Sequence, residues 1–170
     1  MGISFGSNGV KPYVGGSEIQ EAYVGSQLVY KSRPPYTYAF LGGESNYFIA
    51  DWCSLVRGAT VVKDEGKYRI SMAASSTSNP YYFRLTEIHG PVIKFQARRA
   101  GGTTNIKPSI TFRTASGGII GTSNYLNLTT EYALYSYTLP AGTQIIQFNG
   151  NNPEYTGSFT YFDAIRYEES

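Results

Sequence analysis

No stretch of this chain keeps a helical 3.6-residue period for long, and that limits its fold more than any other feature. What it carries instead is a succession of short alternating runs, each closed by a turn signal. After Asp64-Glu65-Gly66, the residues Tyr68, Ile70 and Met72 fall on one face while Arg69 and Ser71 fall on the other. This is the period-two pattern of a half-buried strand. Tyr81, Phe83 and Leu85 are in phase, His89-Gly90-Pro91 reads as a turn, and Ile93, Phe95 and Ala97 are in phase again. Tyr36–Leu41, Tyr47–Trp52, Ala59–Lys63, Ile110 with Phe112, Ile119-Ile120, Tyr132–Leu139 and Gln144–Phe148 read as further strands, and Asn124–Leu128 is a further candidate. The last run, Ser158–Tyr167, is expected to place Phe159, Tyr161, Asp163, Ile165 and Tyr167 on one face.

Successive runs read as antiparallel pairs, 59–63 with 68–72 and 81–88 with 92–98. About eight strands at this spacing predict two packed antiparallel sheets, an all-β sandwich. Sixteen Tyr, nine Phe and nineteen Gly agree with strands and tight turns. At 170 residues the chain has room for one main domain and an appendage rather than two full domains.

The appendage is the N-terminal part. Tyr13-Val14-Gly15-Gly16-Ser17-Glu18-Ile19 is followed by Tyr23-Val24-Gly25-Ser26-Gln27-Leu28, a near-repeat. In each copy a Tyr-Val pair supplies strand residues and the Gly-containing step supplies a tight reversal, so each copy predicts one hairpin. Pro34-Pro35 then lacks two amide donors and favours extended backbone. The boundaries that follow are 1–33 for an attachment segment and 34–170 for the β-sandwich domain.

Several classes of function are disfavoured by composition. A formal charge of +2 is too small to imply a nucleic-acid partner, and Arg98-Arg99 is the only adjacent pair of arginines. No apolar run approaches the roughly 18 residues of a membrane span, so no membrane insertion is expected. Met1–Gly6 has neither the basic start nor the apolar centre of a secretory signal, and assembly in a cytoplasm is the expectation. The single Cys53 reads as a small core residue. Catalysis needs convergent polar groups, and the chain has one His, in a turn at His89, and three Asp. A glycosidase would combine two of Glu44, Asp51 and Asp163, yet nothing selects a pair. A non-enzymatic protein is expected.

Two resemblances add to this reading. Gly66-Lys67-Tyr68-Arg69-Ile70-Ser71-Met72, Tyr135-Ser136-Tyr137-Thr138-Leu139-Pro140-Ala141-Gly142-Thr143 and Phe162-Asp163-Ala164-Ile165-Arg166-Tyr167 stand where jelly-roll carbohydrate-binding modules of galactose-binding-like fold carry similar strands. The match spans about 120 residues and implies a jelly-roll β-sandwich. In those modules an aspartate at the place of Asp163 often helps hold a structural calcium, with Glu44 a plausible early partner. A carboxylate that accepts hydrogen bonds from a loop backbone is the other reading of Asp163. No other cofactor is implied.

The tandem units at Tyr13, Val14, Gly15 and at Tyr23, Val24, Gly25 resemble the N-terminal repeats of bacteriophage tail, fibre and head-decoration proteins. That implies a virion structural protein, assembled in the host cytoplasm, docked to other virion proteins through residues 1–33 and homo-oligomeric, a trimer by the fibre analogy. The alternative is a carbohydrate-binding module acting in adhesion to host-surface glycans. Sugar rings stack their C–H faces on aromatic side chains, and Tyr47, Trp52, Tyr81, Tyr82 and Tyr125, several of them beside loops, are the candidates for glycan contact.

Overall fold

The computed structural model describes residues 36–73, 81–101, 108–150 and 158–168, together with the backbone of four short strands nearer the N-terminus. Gly15, Gly25, the step 32–35 and the polar loops 74–80, 102–107 and 151–157 lie outside the described residues. The chain divides into two units, Met1–Pro35 and Tyr36–Ser170.

In the first unit β1 (Tyr13–Val14) pairs antiparallel with β2 (Ser17–Glu18), Val14 opposite Ser17. Next, β3 (Glu21–Val24) pairs with β4 (Gln27–Lys31), Val24 opposite Gln27. In each copy of the repeat the two strands pair antiparallel, as the hairpin reading expects.

Twelve strands are described in the second unit. In chain order they are β5 (Tyr36–Gly42), β6 (Tyr47–Ile49), β7 (Cys53–Arg57), β8 (Ala59–Asp64), β9 (Lys67–Ala73) and β10 (Tyr81–Leu85). They continue with β11 (Val92–Ala100), β12 (Ser109–Arg113), β13 (Ile119–Thr122), β14 (Ala133–Thr138), β15 (Ile145–Gly150) and β16 (Phe159–Glu168). They make a five-stranded sheet, β13-β12-β15-β10-β7, and a seven-stranded sheet, β14-β11-β16-β5-β6 with β9 and β8 added beside β16. All ladders are antiparallel. The domain is the antiparallel β-sandwich that the alternating runs predict.

Between the sheets lies one core. Phe83, Leu85, Ile110, Phe112, Ile146 and Phe148 come from the five-stranded sheet, and Phe40, Ile70, Met72, Ile93, Phe95, Phe162, Ile165 and Tyr167 from the seven-stranded one. Phe83 and Phe148, opposite one another on neighbouring strands, stack at 4.5 Å, and the edge of Phe162 meets both from the other sheet. Such pairs add about 0.5–1.5 kcal/mol each beyond the area they bury. Cys53 is a buried core residue whose thiol is pushed up to about 12 by burial.

Four local expectations are corrected. The runs 81–88 and 92–98 are not a hairpin, because β10 and β11 belong to different sheets. The intervening His89-Gly90-Pro91 crosses the edge of the sandwich against the end of β16: a side chain at Gly90 would put its Cβ 2.5 Å from the Glu168 carbonyl oxygen. The run 47–52 is likewise split. It ends as β6 in one sheet, turns at Asp51-Trp52 and re-enters the other sheet as β7, a strand the sequence reading lacks. Asn124–Leu128 forms no ladder, although Leu126 and Leu128 anchor it in the core.

The fourth correction concerns β16. Phe162, Ile165 and Tyr167 face the core, while Tyr161 and Asp163 do not share their face. The phase flips at Ala164, whose φ of 47° marks a bulge, and the register against β11 shifts at the same place. There β16 also changes partner, pairing with β9 through Phe159–Phe162 and with β5 through Ile165–Glu168. Asp163 fills the resulting gap between partners. Its Oδ1 accepts from the Gly42 amide of β5 at 2.8 Å and its Oδ2 from the Arg69 guanidinium of β9. A Cβ at Gly42 would lie 1.8 Å from the Tyr68 carbonyl oxygen, so this close approach admits only glycine.

Candidate functional site

The outward faces of the two sheets are both polar, but in different ways. On the seven-stranded sheet the polar groups close on each other. Arg98 forks onto Asp64, the Tyr132 hydroxyl donates to Asp64 Oδ2 at 2.8 Å, and Arg69 Nε donates to the Tyr132 oxygen at 2.9 Å. The Tyr132 ring lies under Arg69 and Arg98, at 4.6 and 5.4 Å from the ring centre. Burial pulls the Asp64 carboxyl upward, yet the hydrogen bonds from Arg98 and Tyr132, joined by the guanidinium charges, hold it below its ordinary value of 3.8. Burial, then the bond to Asp64, raises the Tyr132 phenol above its ordinary value of 10.0.

Asp163 belongs to this cluster. It is only 5% exposed, and Arg69 already neutralises it. A cation placed there would sit against a guanidinium, and Glu44 lies in the exposed turn between β5 and β6. Among the described residues no three metal-donor side chains gather. The residues at Asp163 do not fit a calcium ion; the carboxylate instead ties β5 and β9 to β16.

The five-stranded sheet is built differently. Alternation turns Ile110 and Phe112 of β12 inward and leaves Ser109, Thr111 and Arg113 outward; on β15 it turns Ile146 and Phe148 inward and leaves Gln147 and Asn149 outward. On β10 it leaves Tyr82 and Arg84. Pairing lines these residues up in rows: Arg84, Gln147, Thr111 and Thr122 in one, Tyr82, Asn149 and Ser109 in the next. A hydrogen-bond chain runs through them in one direction. Arg84 Nε donates to Gln147 Oε1 at 2.9 Å, Gln147 Nε2 to Asn149 Oδ1 at 2.6 Å, and Asn149 Nδ2 to Thr111 Oγ1 at 3.0 Å. Gln147 and Asn149 are 4% and 5% exposed, so this order fixes both amides. The Thr111 hydroxyl ends the chain as an acceptor and keeps its own proton to donate.

A cleft of about 700 Å³ opens over this end of the sheet. Its floor is Ser109, Thr111 and Arg113 of β12 with Gln147 and Asn149 of β15, and its wall is Thr122 and the segment Ser123-Asn124-Tyr125. Ser123 is pinned by accepting from the Ile110 amide and donating to the Asn124 carbonyl, which leaves Tyr125 at the rim with 60% of its surface exposed. A floor of fixed amides and hydroxyls under an exposed aromatic ring suits a flat, hydroxyl-rich ligand, with the ring offering a stacking face and the polar groups setting orientation.

Of the five aromatic candidates, Tyr125 borders the cleft and Tyr82 stands on the same face, its ring covered by Arg84 at 4.7 Å. The others lie elsewhere. The Tyr81 ring packs on the backbone of Gly58. Trp52 packs against His89 at 4.6 Å and Tyr167 at 5.7 Å, and Tyr47, the first residue of β6, against Tyr68 at 5.1 Å. The floor residues are not among the candidates for glycan contact that the sequence offered, all of which were aromatic. Their signal was the polar phase of the runs 109–113 and 145–149.

Solved structures of family 29 carbohydrate-binding modules share the sandwich fold. A CBM29-2 variant complexed with mannohexaose is 12% identical with a TM-score of 0.54, over 80% of this chain and 92% of that one. A variant complexed with cellulohexaose is 14% identical with a TM-score of 0.52, over 78% and 89%. A further family 29 module is 13% identical with a TM-score of 0.51, over 78% and 86%. At these identities the likeness is one of fold. No protein-family model and no curated protein matches the chain.

Proposed function

We propose that residues 36–170 are a non-catalytic carbohydrate-binding module that acts in adhesion to surface glycans, with the cleft over β12 and β15 as its binding site. The observation that carries this reading is the one-way chain Arg84, Gln147, Asn149, Thr111 beneath an exposed Tyr125. Its amides are already ordered, so a saccharide would meet fixed polar groups and little side-chain entropy would be lost on binding. The family 29 neighbours, two of them solved with hexasaccharides, support the same reading.

Affinity electrophoresis in gels cast with soluble polysaccharides, followed by calorimetry with hexasaccharides, tests it. Retardation by at least one polysaccharide, relieved in Tyr125→Ala and Asn149→Ala, is the expected result. Retardation that persists in both variants would move the site elsewhere, and no retardation across a broad panel would sink the reading.

The bacteriophage setting rests on the tandem repeat alone, and the comparisons favour the glycan-binding alternative. On the virion reading residues 1–33 fix the module to a particle. Particles that still carry the protein after deletion of those residues would refute that role.

A further inference from the structure

The four strands at and beside the cleft, β10, β12, β13 and β15, contain Arg84 and Arg113 and not one Asp or Glu. On the other sheet three of the cations are answered by carboxylates on its own strands: Arg98 by Asp64, Arg69 by Asp163, Lys94 by Glu168. The asymmetry is sharpest at Arg113, which lines the cleft. Among the described residues its guanidinium makes one hydrogen bond, from Nη1 to the Gly117 carbonyl at 2.7 Å, and no ion pair; its buried Nε is without an acceptor. Arg84 spends one N–H on Gln147 and stacks on Tyr82, also with no ion pair among the described residues. No cleft-lining residue is acidic. A neutral glycan needs no such field, and an unanswered guanidinium beside hydroxyl-ordering amides is what a negatively charged sugar would use, because its planar fork matches a carboxylate or sulfate with two hydrogen bonds.

We infer that the ligand of this cleft is an anionic saccharide, whose carboxylate or sulfate group is taken by Arg113 while its hydroxyls meet Asn149, Gln147 and Thr111 and its ring meets Tyr125. The inference rests on the glycan-binding reading and narrows it. Charge selection would come from Arg113 and the field of this sheet, ring selection from Tyr125.

Calorimetry with the full chain provides the test. The probes are hexamers of galacturonate and of mannuronate, a sulfated chondroitin hexasaccharide, and neutral mannohexaose and cellohexaose. At least one anionic hexamer is expected to bind roughly tenfold or more tightly than either neutral one at low salt, as a charge-assisted hydrogen-bonded pair implies. The preference should shrink at about 0.5 M salt, where screening is strong. Arg113→Ala should collapse the anionic-to-neutral ratio and Arg113→Lys, which keeps the charge and loses the fork, should restore part of it. Lys94→Ala, on the other sheet, should leave the ratio where it was. Binding by uronates or by the sulfated probe alone would identify the anion and support the inference. A neutral hexamer bound as tightly as every anionic one, or a ratio unmoved in both Arg113 variants, would overturn it and leave the glycan-binding reading standing. Failure of all five probes would count against that reading itself.

Discussion

The outward faces of the two sheets share a backbone geometry and differ in how their polar groups are used. On the seven-stranded sheet Arg69, Arg98, Asp64, Asp163 and Tyr132 satisfy one another, and the cluster holds β16 where it changes partner. On the five-stranded sheet the amides are ordered but the chain they form ends at a hydroxyl facing a cleft, and the arginines have no carboxylate on their own strands. The first face uses its polarity to close the fold. The second is left able to meet something else.

Removing Asp163 should expose that difference most strongly. Asp163→Ala leaves the Arg69 charge buried and unpaired and frees the Gly42 amide, so a loss of about 3–5 kcal/mol in urea unfolding is expected. A loss below about 1 kcal/mol would mean that the cluster does not hold β16 in place. Asn149→Ala should cost less, about 1–3 kcal/mol, since it strands one amide of Gln147, but it should also abolish saccharide binding. Wild-type affinity in that variant would erase the functional half of the contrast.

Acid and alkali should both act on the closed face. Asp64 is held below 3.8, so its contribution is complete above that value and is lost as pH falls through its lowered folded value. Tyr132 is raised above 10.0, so its contribution is present below that value and fades as pH climbs toward its folded one. Thermal unfolding across pH, with Asp64→Asn flattening the acid limb and Tyr132→Phe the alkaline one, checks both signs; limbs unchanged in the variants would reject the assignment. The smallest stability effect belongs to the rim. Tyr125→Ala should shift stability by no more than about 0.5 kcal/mol. It should still weaken saccharide binding about tenfold, in line with an aromatic contact at a binding centre. Tyr47→Ala, made on the other sheet, should leave binding intact, and equal losses in both would break the assignment of the site to one face.

Much of the strand inventory was legible because side-chain alternation is a local property. Ile93, Phe95 and Ala97 are in phase in the sequence and fully buried in the sandwich, as are Phe83 and Leu85. Of the site, Tyr125 was legible from its type and its place beside a loop. Its floor was not, because Ser109, Thr111, Gln147 and Asn149 become a floor only when β12 lies against β15, and the intervening residues give no sign of that pairing.

The sequence by itself determined an all-β chain, its two N-terminal hairpins and which residues of most strands face inward. The tertiary structure decided which strands pair. It decided that the chain changes sheet at Asp51-Trp52 and at His89-Gly90-Pro91, and that β16 reverses phase at Ala164. The physical reason is that alternation is set between neighbours along the chain, whereas pairing and bulges are set by hydrogen bonds and packing between residues far apart in it. Asp163 shows this most plainly: its identity is written in the chain, and its role between Gly42 and Arg69 exists only once three strands have met.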